Sequence, residues 1–213
     1  MLNKTSSILE KIVAESHKRA ALVKIDTTTV QKNNIDFLKA LRRKSKMPQL
    51  IAELKRRSPS EGDLKEELTV EDAISMYSPY AAALSILTEP NYFNGSLEDL
   101  QKARALTTLP ILRKDFIVTT QQIDEARFYG ANSFLLIAAS LSNLELTQFI
   151  ERGRHWNMEP LVEVLTEDEL DRVLSLDIKI LGINNRNLHT LGMDMEREVR
   201  LAKKIPEKRR SEL

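Results

Sequence analysis

The chain has 213 residues, 42% hydrophobic and 30% charged, with 32 basic side chains against 31 acidic ones. That balance argues against nucleic acid or a membrane surface as partner, and the absence of cysteine excludes disulfides and thiolate zinc sites. His17, His155 and His189 show no metal-ligand spacing, so no metal site is expected and they are assigned surface or packing roles. The N-terminus lacks a secretory pattern, and no run approaches the ~18 apolar residues of a membrane span. The sequence reads as soluble and cytoplasmic.

Residues 5–24 open on a Thr/Ser cluster suited to an N-cap, after which Ile8, Leu9, Ile12, Val13, Leu22 and Val23 form an apolar stripe. A second helical stretch covers 33–45, with Ile35, Phe37, Leu38 and Leu41. Residues 1–48 are therefore expected to be a helical extension, a lid or floor packed on a main domain at 49–213.

From residue 50 the pattern changes. Strand-like runs fall at 50–55, 83–88, 110–113, 133–138, 161–165 and 179–183. Helical stretches alternate with them at 69–80 after Thr69, 96–107 after Ser96, and 119–129 closed by Gly130. Three more follow at 142–155 after Ser142, 166–175 after Thr166, and 194–204 after Asp194. Capping residues with acidic first turns mark these starts, and Trp156, just past one helix, is read as core. Six βα units predict parallel strands joined by crossover helices.

A doubly wound open sheet and a closed barrel both fit this alternation. A dinucleotide-binding open sheet has a Gly-rich first turn, but here that turn is Ser-Pro-Ser-Glu-Gly (58–62). Charged or amide side chains also end four strands, in Ala-Glu-Leu-Lys-Arg (52–56), Leu-Arg-Lys-Asp-Phe (112–116), Leu-Val-Glu-Val (161–164) and Gly-Ile-Asn-Asn-Arg-Asn (182–187). A Lys or Glu in a buried strand costs several kcal/mol unless paired or used. A barrel gathers all strand ends around one mouth, and the barrel is favoured.

Ala-Glu-Leu-Lys-Arg-Arg-Ser-Pro-Ser (52–60), Leu-Thr-Glu-Pro-Asn-Tyr-Phe-Asn-Gly-Ser (87–96), Leu-Arg-Lys-Asp-Phe-Ile (112–117), Leu-Val-Glu-Val (161–164) and Gly-Ile-Asn-Asn-Arg-Asn-Leu (182–188) resemble in order and spacing the signatures of indole-3-glycerol phosphate synthases. The resemblance runs from the N-terminal helices to about residue 206. It implies an α/β (β/α)₈ TIM barrel with an N-terminal helical extension. It also implies a carboxy-lyase of tryptophan biosynthesis, closing the ring of 1-(2-carboxyphenylamino)-1-deoxyribulose 5-phosphate with loss of CO₂ and water. No cofactor is required; the partner is a phosphorylated small molecule.

This chemistry accounts for the residue types. Lys114 is expected as the cationic acid at the substrate carbonyl, and Glu163 as the carboxylate that opposes positive charge on the anilino system and removes a proton. Lys55 and Arg186 are expected to hold the departing carboxylate, with Glu53 tuning Lys55 from the same strand face, and Lys55 and Glu53 equally fit the later dehydration. Asn184 and Glu89 are expected to bond the sugar-derived hydroxyls, Phe93 and Phe116 to wall the aromatic ring, and Ser58 to offer a hydroxyl to the phosphate. The division of labour among Lys55, Lys114, Glu53 and Glu163 stays open.

Each member also has a plainer reading. Glu53 and Lys55 are equally an internal ion pair, Lys114 and Asp115 a strand-end salt bridge, Asn184 and Asn185 turn residues, and Ser58, Pro59 and Ser60 ordinary loop. A carboxylate between Val162 and Val164 in a parallel strand is harder to explain as packing. The joint pattern carries the inference.

The segment Ile205-Pro206-Glu207-Lys208-Arg209-Arg210 stands where the family has a seventh strand. The expectation is a C-terminally truncated or frameshifted barrel, lacking about the last two βα units and most of its phosphate anchor, with open edges prone to self-association. The alternatives are an inactive remnant, a non-catalytic binding subunit, or another phosphosugar-binding TIM-barrel enzyme.

Overall fold

The computed structural model describes residues 7–42, 47–64, 67–186, 192–210 and 212–213. Thr5 and Ser6, positions 43–45 of the second helical stretch, Asn187 and Leu188 of the last signature, and His189 lie outside the described residues.

Six parallel strands form one sheet in the order β1-β4-β5-β6-β7-β8, curled into half a barrel. They are β1 (Ile51–Leu54), β4 (Ala83–Leu87), β5 (Ile111–Lys114), β6 (Ser133–Ile137), β7 (Leu161–Val164) and β8 (Leu181–Ile183). A small antiparallel ribbon, β2 (Arg57–Ser58) with β3 (Gly62–Asp63), folds the loop after β1 back on itself. Among the described residues, the outer edges of β1 and β8 pair with no further strand.

Strand periodicity decides which side chains meet the helices. Residues two apart share a face, so Ala52 and Leu54 in β1 and Val162 and Val164 in β7 are buried, while Glu53 and Glu163 are only half-buried. The buried set joins Leu84, Ile86, Ile111, Phe134 and Leu136 in the main core. Glu53 and Glu163 therefore belong to the other, concave face.

Crossover helices pack on the convex face: α3 (Val70–Tyr77), α5 (Leu97–Leu106), α6 (Thr120–Phe128), α7 (Asn143–His155), α8 (Glu167–Leu174) and α9 (Arg197–Lys204). Thr69, Ser96, Ser142 and Thr166 each accept an amide of the first turn, as N-caps do. α9 starts three residues later than its sequence signal: Asp194 instead accepts from the Glu196 amide and pairs with Arg200. Three short elements carried no clear sequence signal, a single turn α4 (Pro90–Phe93), a 3₁₀ turn over Ala138–Ser140, and α10 (Glu207–Arg210) after Pro206.

The N-terminal helices furnish the concave face from its two ends. α1 (Ile8–Ala20), capped by a Ser7–Glu10 capping box, lays Leu9 and Ile12 on Phe116, Leu135 and Ile137 at the C-terminal ends of β5 and β6. α2 (Phe37–Leu41) is shorter than its sequence signal and plugs the opposite end, where Phe37 meets Ala83, Leu112 and Ile180. Burying Phe37 contributes about 2–3 kcal/mol. Asn132 fixes this floor by donating to the Asn33 side chain at 2.8 Å and to the Ile35 carbonyl at 3.3 Å.

Candidate active site

A cavity of about 260 Å³ opens at the C-terminal ends of the strands, beneath α1. Glu53, Lys55, Ser58, Phe93, Lys114, Phe116, Glu163, Asn184 and Arg186 all line it, so the structure gathers every site residue expected from the sequence except Glu89. Each sits on or just beyond a strand end, which is why segments scattered along the chain converge.

The cavity's polar wall is ordered by short contacts. Lys55 Nζ lies 3.3 Å from Glu53 Oε1, and Ser85 Oγ donates to Glu53 Oε2 at 3.2 Å. On the other side, Asn184 Nδ2 donates to Glu163 Oε1 at 2.9 Å, while Asn184 Oδ1 accepts from the Arg186 amide at 2.9 Å. Arg186 Nη2 reaches Glu61 Oε1 at 2.8 Å. Among the described residues, the Lys114 ammonium has no ion pair or side-chain hydrogen bond, leaving it available to a ligand.

The apolar wall comes from two directions. Phe93 and Phe116 stand with ring centroids 6.1 Å apart and planes tilted by 35°. Ile8, Leu9 and Ile12 of α1 close the cavity from above. Those three were missing from the sequence-based set, although their helical spacing marked an apolar stripe that had to cover something.

Glu89 is placed elsewhere. Its side chain is fully buried and accepts from the amides of Asn91, Tyr92 and Phe93, capping α4. With its oxygens engaged by backbone donors it has no access to a ligand's hydroxyls. It fixes the turn that presents Phe93.

Asp115 also departs from the simplest reading, a salt bridge with Lys114. Its buried carboxylate pairs with Arg113 at 3.2 Å and with Arg19 at 3.0 Å, and accepts from Thr88 Oγ1 at 2.7 Å. Burial acts to raise its pKa, but the Arg113 and Arg19 guanidiniums and the Thr88 hydroxyl outweigh it and hold the group down to about 2. Arg19 gave no sequence signal, because its partner lies 96 positions away.

Among the described residues no cluster of His, Asp and Glu is suited to hold a metal ion, and no helix is long and apolar enough to cross a membrane. The arrangement is a mixed pocket. It sets aromatic and aliphatic side chains beside an ammonium group on one strand end and a carboxylate two strands away.

The sequence model of the indole-3-glycerol phosphate synthase family matches residues 2–212. The chain is 46% identical over 175 residues to the indole-3-glycerol phosphate synthase of Aquifex aeolicus, covering 82% of this chain and 67% of that protein. It is 42% identical over 205 residues to the enzyme of Mycolicibacterium gilvum, covering 94% and 75%. The solved 3-keto-L-gulonate-6-phosphate decarboxylase of Vibrio cholerae is similar with a TM-score of 0.54 at 14% identity, over 72% of this chain and 71% of that one, a likeness of fold alone. With the fold, the convergent strand ends and this match over nearly its whole length, the chain belongs to the indole-3-glycerol phosphate synthase family.

Proposed function

We propose that this cavity closes the indole ring of 1-(2-carboxyphenylamino)-1-deoxyribulose 5-phosphate, with Lys114 as general acid and Glu163 as the opposing carboxylate. The observation that carries the reading is their placement. Lys114 ends β5 and Glu163 lies on β7, both facing one cavity walled by Phe93 and Phe116.

The ring carbon bearing the carboxylate attacks the sugar-derived carbonyl carbon, and Lys114 delivers a proton to that carbonyl oxygen. Positive charge develops on the anilino nitrogen, where the Glu163 carboxylate stabilises it. The carboxylate departs as CO₂, and its electron pair restores the aromatic ring. The new hydroxyl takes a proton from the Lys55 ammonium and leaves as water, and loss of a proton from the adjacent methylene to Glu163 completes the double bond. Lys55, held by Glu53, and Arg186 bind the carboxylate before it leaves. Asn184 orients Glu163 and bonds a hydroxyl, and Ser58 supplies a hydroxyl to the phosphate.

Membership of a biosynthetic family supports a cytoplasmic setting, which cell fractionation checks. Among the described residues the outer edges of β1 and β8 pair with no further strand, which supports self-association of the purified chain; sedimentation at a mass above 24.4 kDa bears this out, and a monomer refutes it.

The decisive measurement is formation of indole fluorescence from the substrate. Lys114→Met and Glu163→Gln are each expected to lower kcat by about 100- to 10,000-fold while circular dichroism stays unchanged. Wild-type rates in both variants would remove Lys114 and Glu163 from these roles.

A further inference from the structure

The stripe of α1 that covers the cavity continues past it. Leu9 and Ile12 meet the apolar wall; one and two turns further on, Ser16 and Arg19 fall on the same side of the helix. These two polar side chains grip the segment that follows β5. Ser16 Oγ donates to the Phe116 carbonyl and accepts from Gln122 Nε2 at 3.1 Å. The other end of the Gln122 amide accepts from the Val118 amide at 2.8 Å and the Thr119 amide at 3.2 Å. Arg19 engages Asp115 with both terminal nitrogens, at 3.0 and 3.3 Å. Asp115 in turn accepts from the Phe116 amide at 2.8 Å.

Asp115 stands between Lys114 and Phe116, both of which line the cavity. Arg113 and the Thr88 hydroxyl serve its carboxylate from within the sheet. Arg113 is shared with Glu125 at 2.8 Å, and Glu89 lies 4.0 Å from Arg19, so Arg19 also offsets part of this buried negative charge. What Arg19 adds beyond charge is a planar, two-pronged link from the covering helix to the residue that separates the proton donor from the ring wall. We propose that Arg19 is a positioning residue of the reaction: acting through Asp115, it makes the seating of α1 over the cavity and the placement of Lys114 and Phe116 a single event. The proposal rests on the ring-closure reading and deepens it.

The test compares wild type, Arg19→Ala, Arg19→Lys and, as control, Lys18→Ala, whose exposed side chain pairs with Glu15 on its own helix. A displacement of an ångström at a reacting group costs about 100-fold. Arg19→Ala is therefore expected to lose between about 10- and 100-fold in kcat, with a lowered thermal midpoint because buried Asp115 loses one of its two guanidinium partners. Lys18→Ala keeps wild-type kcat. Arg19→Lys retains the charge without the fork and is expected to recover only part of the rate. Added guanidinium ion should restore kcat severalfold in Arg19→Ala and not in wild type. Amide exchange followed by mass spectrometry should quicken over 114–119 in Arg19→Ala while β4 and β6 keep wild-type protection.

Wild-type kcat in Arg19→Ala, or full recovery in Arg19→Lys, overturns the proposal. So does a rate loss that guanidinium leaves untouched and that comes with faster exchange across the whole sheet. If Arg19→Ala does not fold, Arg19→Lys decides by its kcat and its exchange over 114–119. If wild type turns over no substrate, ring closure fails on its own account. The exchange arm then decides separately, and unchanged protection over 114–119 removes the link.

Discussion

Arg186 on the loop after β8 forms an ion pair with Glu61 on the loop after β1, with Nη2 and Oε1 2.8 Å apart across the mouth of the cavity. The side chains retain 31% and 48% of their exposure, so the pair is solvated and contributes no more than about 1 kcal/mol. In the proposed reaction the substrate's carboxylate competes with Glu61 for the same guanidinium. Glu61→Gln is therefore expected to lower KM by about two- to fivefold with kcat within twofold of wild type. The difference between the two proteins should shrink as salt rises. A higher KM in Glu61→Gln would show instead that the pair builds the site.

A second expectation concerns Asn184, whose amide donates to Glu163 Oε1 while its oxygen accepts from the Arg186 backbone. Asn184→Ala removes the bond that aims the carboxylate, and kcat should fall by about tenfold. Asn184→Asp is informative in a different way, since it sets a second carboxylate against Glu163. It also removes the donor to Glu163, so kcat should fall at least as far as in Asn184→Ala. Wild-type kcat in both variants would disconnect Asn184 from the aim of Glu163.

The parts legible from sequence and those that were not differ in the range of the interaction that fixes them. The six sheet strands and the caps at Thr69, Ser96, Ser142 and Thr166 depend on neighbours a few residues away, and the chain spells them out. Nine strand-end residues converged as expected because strand alternation fixes their face and parallel topology fixes their end. Glu89 misled because a carboxylate at a strand end looks the same whether it meets a ligand or caps a turn; only the amides of Asn91, Tyr92 and Phe93 distinguish the two. The hold of Ser16 and Arg19 on the segment after β5 is set by tertiary packing and has no local pattern.

Gly95 is a place where the chain needs a missing side chain. An added Cβ would lie 2.3 Å from the Leu87 carbonyl oxygen and 2.9 Å from the Thr88 nitrogen, both backbone atoms that cannot rotate aside. The Gly95 amide also donates to the Glu89 carbonyl at 2.9 Å, closing the loop that carries Phe93. Gly95→Ala is expected to destabilise by about 1–3 kcal/mol, lowering the thermal midpoint by about 2–4 °C for each kcal/mol. Calorimetry checks the midpoint. A raised KM should accompany it, since Phe93 shifts with the loop; unchanged stability would mean the backbone moves freely there.

Asp115 gives a prediction about acid. Its carboxyl is held at about 2 in the fold against an ordinary value of 3.8. The charged form is therefore favoured by folding, and its contribution is complete above pH 4. As pH falls, the unfolded chain takes up the proton first, and the contribution drains away between about pH 4 and pH 2, roughly 2 kcal/mol in all. Urea titrations at stepped pH should show Asp115→Asn less stable than wild type at neutral pH, with a shallower decline over that interval. Parallel curves would place the acid sensitivity in other carboxylates.

The two N-terminal helices that close the concave face also determine when this protein can fold. Ser16 and Phe116 lie 100 positions apart, and Arg19 and Asp115 lie 96 apart. A chain emerging from the ribosome presents α1 and α2 long before β5 exists to receive them. Their apolar sides have no docking surface until β5 and β6 have been made, and long-range closure of this kind is slow and exposed to aggregation. Assembly must therefore wait for the later strands: two helices made early are among the last elements to find their places.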